Sequence, residues 1–159
     1  MTTRGHFGLM MAGSGGGGSG HRYWRALITA GNGATATSAA EFGLRSTVGG
    51  PSIATGGTPS ASSEYSSSFD AAKAFDGNAS TLWSAASNSG FPAWLAYDFG
   101  TAVDIVEVSY TCRNDAAANQ AWRNFSIQYS DDNSTWTTSW SVTNQTGWSL
   151  GETRVFTKP

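Results

Sequence analysis

Five short runs of this chain place apolar side chains at every second position. In "RYWRALITA" the residues Trp24, Ala26 and Ile28 share one face, and in "AAEFGLR" Ala40, Phe42 and Leu44 do. "AWLAYDFG" sets Leu95, Tyr97 and Phe99 in step, "VDIVEVSYTCR" sets Val106, Val108, Tyr110 and Cys112, and "RNFSIQYSDD" sets Phe125, Ile127 and Tyr129. A period of two is what a strand with one buried and one wet face requires, because successive side chains point to opposite sides of the sheet. "STWTTSW" and "ETRVFT" complete the count, and no βαβ rhythm separates the runs. The predicted architecture is all-β: about eight antiparallel strands in two packed sheets.

The rest of the composition agrees. Seven Trp, five Tyr and eight Phe sit in a chain that is only 13% charged, and Gly, Ser, Thr and Asn fill the gaps, as in a sandwich with long polar loops. A formal net charge of −2 provides no basic face, so neither nucleic acid nor an acidic membrane surface is an expected partner. No apolar run reaches the roughly 18 residues a membrane helix needs. "FGLMMAG", at 7–13, is too short and too weakly flanked by charge to read as a signal peptide. Cys112 is the only cysteine, which excludes an internal disulfide and a thiolate zinc site and leaves it as a small buried hydrophobe.

Residues 1–21 read as an apolar attachment peptide and a Gly-rich tether, "GSGGGGSG", ahead of a single domain at 22–159. Within that domain "STVGGPSIATGGTPSASSEYSSS" has the composition of a connection. "DAAKAF" follows as one or two helical turns with Asp70 as N-cap, and delivers the chain into "DGNASTLW". There Asp76, Asn78 and Thr81 all carry oxygen, and Gly77 admits a positive φ. On local chemistry two readings stay open: a turn that closes the core, and an oxygen-lined loop for an ion.

Taken together, "SIATGGTPSASSEYSSSFDAAKAFDGNASTLWSA", "AWLAYDFG", "VDIVEVSYTCR" and "FSIQYSDDNSTW" resemble the discoidin family, the coagulation factor 5/8 type C domains, which includes many galactose-binding-like carbohydrate modules. The resemblance implies a jelly-roll sandwich. "RYWRALITAGNG" and "SAAEFGLR" look like the last two strands of such a domain yet come first here, so the order is expected to be circularly permuted, with 46–60 as the new connection and Pro159 near Arg22. The alternative is that 22–45 complete the sheet of a neighbouring subunit. The resemblance also implies a structural Ca²⁺ held by Asp76, Asn78, Thr81 and Glu41, with the carbonyls of Lys73 and Ala40 in support.

For a sugar, the resemblance implies Arg113 and Asn119 as ligand-holding residues. Asn114, Asn88 and Phe91 lie in loops expected at the same end, and Trp122 is a candidate platform. The loop after Trp83 lacks the His and the "GNGATAT" loop lacks the aromatic often found in that family, which leaves the sugar unassigned. His6 and His21 lie in the tether region, and no acid or nucleophile is set beside a base, so the chain is expected not to be an enzyme. The expected role is a carbohydrate-binding adhesion module of a bacteriophage virion, on a tail or capsid, attached to another virion protein by residues 1–20 and recognising host cell-surface glycans. The rival is a structural virion decoration or joint that binds no sugar, and assembly into a homo-oligomer is left open.

Overall fold

The computed structural model describes residues 20–115 and 118–159, so the expected attachment peptide lies outside the described residues. Ten strands follow in chain order: β1 (His21–Gly31), β2 (Ser38–Ala39), β3 (Glu41–Arg45), β4 (Thr58–Ala61), β5 (Trp83–Ser84), β6 (Ala93–Val103), β7 (Glu107–Thr111), β8 (Trp122–Ser130), β9 (Thr137–Val142) and β10 (Thr153–Thr157). A five-stranded sheet runs β4-β6-β1-β8-β9, a three-stranded one β10-β7-β3, and β2 pairs with β5 in a two-residue ladder. Every pairing is antiparallel.

The alternation seen in the sequence is the alternation of burial. Trp24, Ala26 and Ile28 of β1 are buried, as are Leu95 and Tyr97 of β6 and Phe125 and Ile127 of β8. Aromatic rings then lock sheet to sheet: Phe42 of β3 meets Trp122 of β8 edge-on at 5.2 Å, and Phe125 meets Phe156 of β10 at 5.2 Å. Tyr110 stacks on Trp122 at 4.1 Å and donates its hydroxyl to Ser38 O at 2.9 Å. Gly43 lies where β3 crosses close to β7, and a Cβ there would collide with Ser109 Oγ. Cys112 is buried and gives its thiol proton to Ser149 O at 2.8 Å.

Three expectations change. The Gly/Pro/Ser stretch is not all connection: Thr58–Ala61 forms β4 on the edge of the larger sheet, where Pro59 costs no ladder bond. "DAAKAF" forms only a 3-10 turn, Ala71–Ala74, and Asp70 caps it by position without a side-chain bond; Glu64 Oε1 instead accepts from Ala71 N at 2.9 Å. His21, assigned to the tether, opens β1, stacks on Tyr129 at 3.7 Å and pairs with Asp131 through Nδ1 at 2.9 Å.

Residues 21–45 complete the sheets of their own chain. β1 lies between β6 and β8, and β3 pairs with β7. His21 is in register with Val103, and Lys158 N donates to Val106 O at 2.8 Å, so both ends of the domain meet at the β6–β7 connection. Glu107 binds that corner together. It pairs with Arg45 Nη1 at 2.6 Å and accepts from Gly49 N at 3.0 Å and Thr157 Oγ1 at 3.1 Å, joining β3, the connection after it and β10. Arg45 first, and these hydrogen bonds after it, hold the Glu107 carboxyl below its ordinary value.

Candidate functional site

β1 runs from the corner where the chain ends meet to the opposite pole, where Gly31 faces Trp122 and Asn32 N donates to Asn119 O at 3.1 Å. Arg113, two residues past the end of β7, is at this far pole. It lines a cleft of about 300 Å³ with Ala36, Tyr65, Phe69, Ser84, Ser87 and Gln120. Asp115 accepts from Arg113 Nε at 2.8 Å and from Nη2 at 3.1 Å, while Nη1 donates to Gln120 Oε1. The fork is thereby aimed, with N–H groups to spare for a ligand. In return the guanidinium lowers the Asp115 carboxyl below its ordinary range. Tyr65 is 59% exposed and meets Phe69 edge-on at 5.8 Å, an aromatic wall held out to solvent by a Ser-rich loop. A planar donor fork and an exposed aromatic ring lining one cleft can hold a polyhydroxylated ring by its edge and its face together.

The other expected ligand residues divide. Asn88 has a positive φ of 58° and accepts from Thr35 Oγ1 at 3.1 Å, which fastens the 85–90 loop beside cleft residues Ala36 and Ser87. Asn119 lines a different cleft, with Asn32, Gly147 and Trp148. Asn114 Nδ2 donates to Ala79 O at 3.1 Å, tying the segment after Arg113 to the 76–81 loop. Phe91 is half-buried and packs on the core. Trp122 is not a platform: it is fully buried and stacked on Tyr110. Tyr65, Phe69, Ser84, Ser87 and Gln120 were not singled out in the sequence, because they come from loops, 3-10 turns and the two-residue strand β5, none long enough to show a period.

The 76–81 loop is tightly organised. Asp76 Oδ1 accepts from Asn78 N at 2.9 Å and Oδ2 from Thr81 Oγ1 at 2.7 Å, Asn78 Oδ1 accepts from Ser80 N at 3.0 Å, and Gly77 has φ 73°. Glu41, at the start of β3, faces this loop. Burial, and then the negative charge of Asp76, push its carboxyl up to about 7 against the opposing pull of the Asn78 and Gly77 backbone N–H groups. Its Oε1 is buried with no hydrogen-bond partner among the described residues. An orphaned carboxylate oxygen beside a second carboxylate is a donor set that a hard cation would satisfy. Among the described residues no group of three or more His, Cys, Asp or Glu side chains forms a metal cluster, so neutral oxygens would have to complete the shell, as Ca²⁺ accepts and zinc does not.

The F5/8 type C domain matches residues 58–159, more than half of the chain, from β4 to the C-terminal proline. The chain belongs to the F5/8 type C domain family. This is a family of carbohydrate- and ligand-binding modules, usually non-catalytic. No curated protein and no solved structure matches the chain. In this F5/8 type C domain β1, β2 and β3 precede the matched residues, yet β1 is the middle strand of the larger sheet.

Proposed function

We propose that the domain is a non-catalytic carbohydrate-binding adhesion module that takes its sugar in the Arg113 cleft. The carrying observation is that the aimed Arg113 fork and exposed Tyr65 line one cleft, with Gln120, Ser84 and Ser87 as further polar side chains. Tyr65 and Phe69 supply the apolar surface, Arg113 and Gln120 the paired donors and acceptors, and no base is set beside a nucleophile in the cleft. We further propose a structural Ca²⁺ at the same pole, held by Glu41, Asp76, Asn78 and Thr81 with the carbonyls of Lys73 and Ala40; the buried, unpartnered Glu41 Oε1 supports it. Bound there, the ion would neutralise two facing carboxylates and tie β3 to the 76–81 loop, and through Asn114 to the segment that follows Arg113.

The setting we propose is a bacteriophage virion, with residues 1–20 attached to another virion protein and the cleft turned to host surface glycans. The Gly-rich tether and the resemblance of the early β1–β3 order to phage structural proteins support it. The order is that of a circular permutation, consistent with chain ends that meet at one corner. A bacterial glycan array, run on the wild type and on Arg113→Ala and Tyr65→Ala, tests the reading. Binding that drops about tenfold or more in both variants is expected, equivalent to about 1.4 kcal/mol or more. A blank array for the folded wild type would sink the sugar assignment and leave a virion decoration protein.

A further inference from the structure

The outer face of the five-stranded sheet holds chemistry that the cleft does not use. Arg25, on β1, turns outward between two indoles. Its guanidinium carbon lies 4.0 Å from the ring centre of Trp136, just before β9, and 6.0 Å from that of Trp94 on β6. Gln128 on β8 accepts from Arg25 Nε at 2.8 Å and donates from its own Nε2 to Thr138 Oγ1 at 3.1 Å, which fixes the rotation of the fork. Four other arginines have a carboxylate: Arg22 has Asp98, Arg45 has Glu107, Arg113 has Asp115 and Arg154 has Glu152. Arg25 has none among the described residues, and its four Nη protons have no protein acceptor there.

A half-buried cation whose only polar partner is a neutral amide is poorly compensated. Burial accordingly lowers the Arg25 pKa. The indoles offset part of that cost. The floor around it is flat and hydroxyl-rich. Leu27 lies beside Ser126 and Trp94 in register, Ser60 lies opposite Ala96, and Ser141 lies opposite Ser126. Charge complementarity therefore calls for an anion, and aromatic faces set among short hydroxyl side chains suit a sugar ring more than an apolar peptide.

We propose that this face is a second binding site, separate from the Arg113 cleft, for a carboxylate-bearing sugar. The free Nη edge of Arg25 takes the carboxylate of a uronic-acid residue in a two-point contact, and the ring lies along Trp136 and Trp94. The site does not depend on the cleft. A module with both would grip an acidic polysaccharide at its pole and along its side.

The test is calorimetric titration of the whole chain, at fixed calcium, with a glucuronic-acid hexasaccharide and with a glucose hexasaccharide of the same linkage. The acidic sugar is expected to bind at least about tenfold more tightly, to weaken severalfold as salt rises from about 0.1 to 0.5 M, and to lose about tenfold in Arg25→Gln, a larger loss than Arg113→Ala causes. Trp136→Leu, and Arg25→Lys, which keeps the charge but not the fork, are expected to weaken it as well and serve if Arg25→Gln unfolds. Equal binding of the two sugars, unchanged binding in folded Arg25→Gln, or a Glu-rich peptide binding as well as the uronate would each overturn the proposal. Loss in Arg113→Ala alone would return the acidic sugar to the cleft.

Discussion

At the scale of single residues, Glu41 carries the clearest test. A carboxyl whose folded value sits near 7, above its ordinary 4.5, holds its proton more tightly folded than unfolded. The stability this confers is complete below 4.5 and is lost as pH rises through about 7. In chelator, the melting temperature is expected to fall between about pH 5 and 7.5. Saturating calcium, which favours the charged form, is expected to abolish the fall and to raise the melting temperature at pH 7.5; Glu41→Gln and Asp76→Ala should each remove the calcium response. A melting curve indifferent to chelator in the wild type would reduce the loop to a turn. Asp76, Asn78 and Thr81 were legible as oxygen donors from their spacing, but the carboxylate facing them was not, because Glu41 arrives from a strand 35 residues earlier. Only the resemblance pointed to it. At Gly43 the prediction is steric: Gly43→Ala brings a methyl against Ser109 Oγ, the end of a half-buried side chain that can rotate away, so a loss of about 1 kcal/mol or less in chemical denaturation is expected, relieved in the Gly43→Ala/Ser109→Ala double variant.

Among the elements, the strands with a clean period of two were readable, and those that lack it were not. β4 was missed because its Thr-Pro-Ser-Ala sequence reads as a loop; it becomes a strand only because β6 presents an unpaired edge to it. β2 and β5 are two residues each, too short for any periodicity. Trp94 belongs to the opposite face from Leu95 and Tyr97, while Trp122 belongs to the core because β8 turns it toward Phe42 and Tyr110. Trp122→Ala should cost about 3–5 kcal/mol of stability, whereas Trp136→Ala, on the outer face, should cost far less; chemical denaturation separates the two. Glu107 acts between elements. Its carboxyl is held below its ordinary 4.5, so its contribution is present above 4.5 and is lost as pH falls through the folded value. Glu107→Gln is expected to lower the melting temperature at pH 7 and to narrow its gap from the wild type under acid conditions.

For the whole molecule, chain order and architecture separate. The family match begins only at β4, yet the sheet it describes is closed by strands that come before it. Because His21 and Lys158 both reach the β6–β7 connection, a chain in which a short flexible linker joins Pro159 to His21 and new ends open within 46–57 should fold to the same sandwich, with near-wild-type circular dichroism and glycan binding. Failure of that variant to fold would mean that the observed order is required for assembly. β1 runs the length of the domain, from the corner shared with Val103 to the pole that holds Arg113. A particle anchored through its N-terminal segment and held to a surface through the cleft would therefore be pulled along the axis of its most central strand. Such a load would fall in shear on the ladders to β6 and β8 at once, rather than peeling bonds apart singly, so the first of the described strands would double as the tendon of the domain.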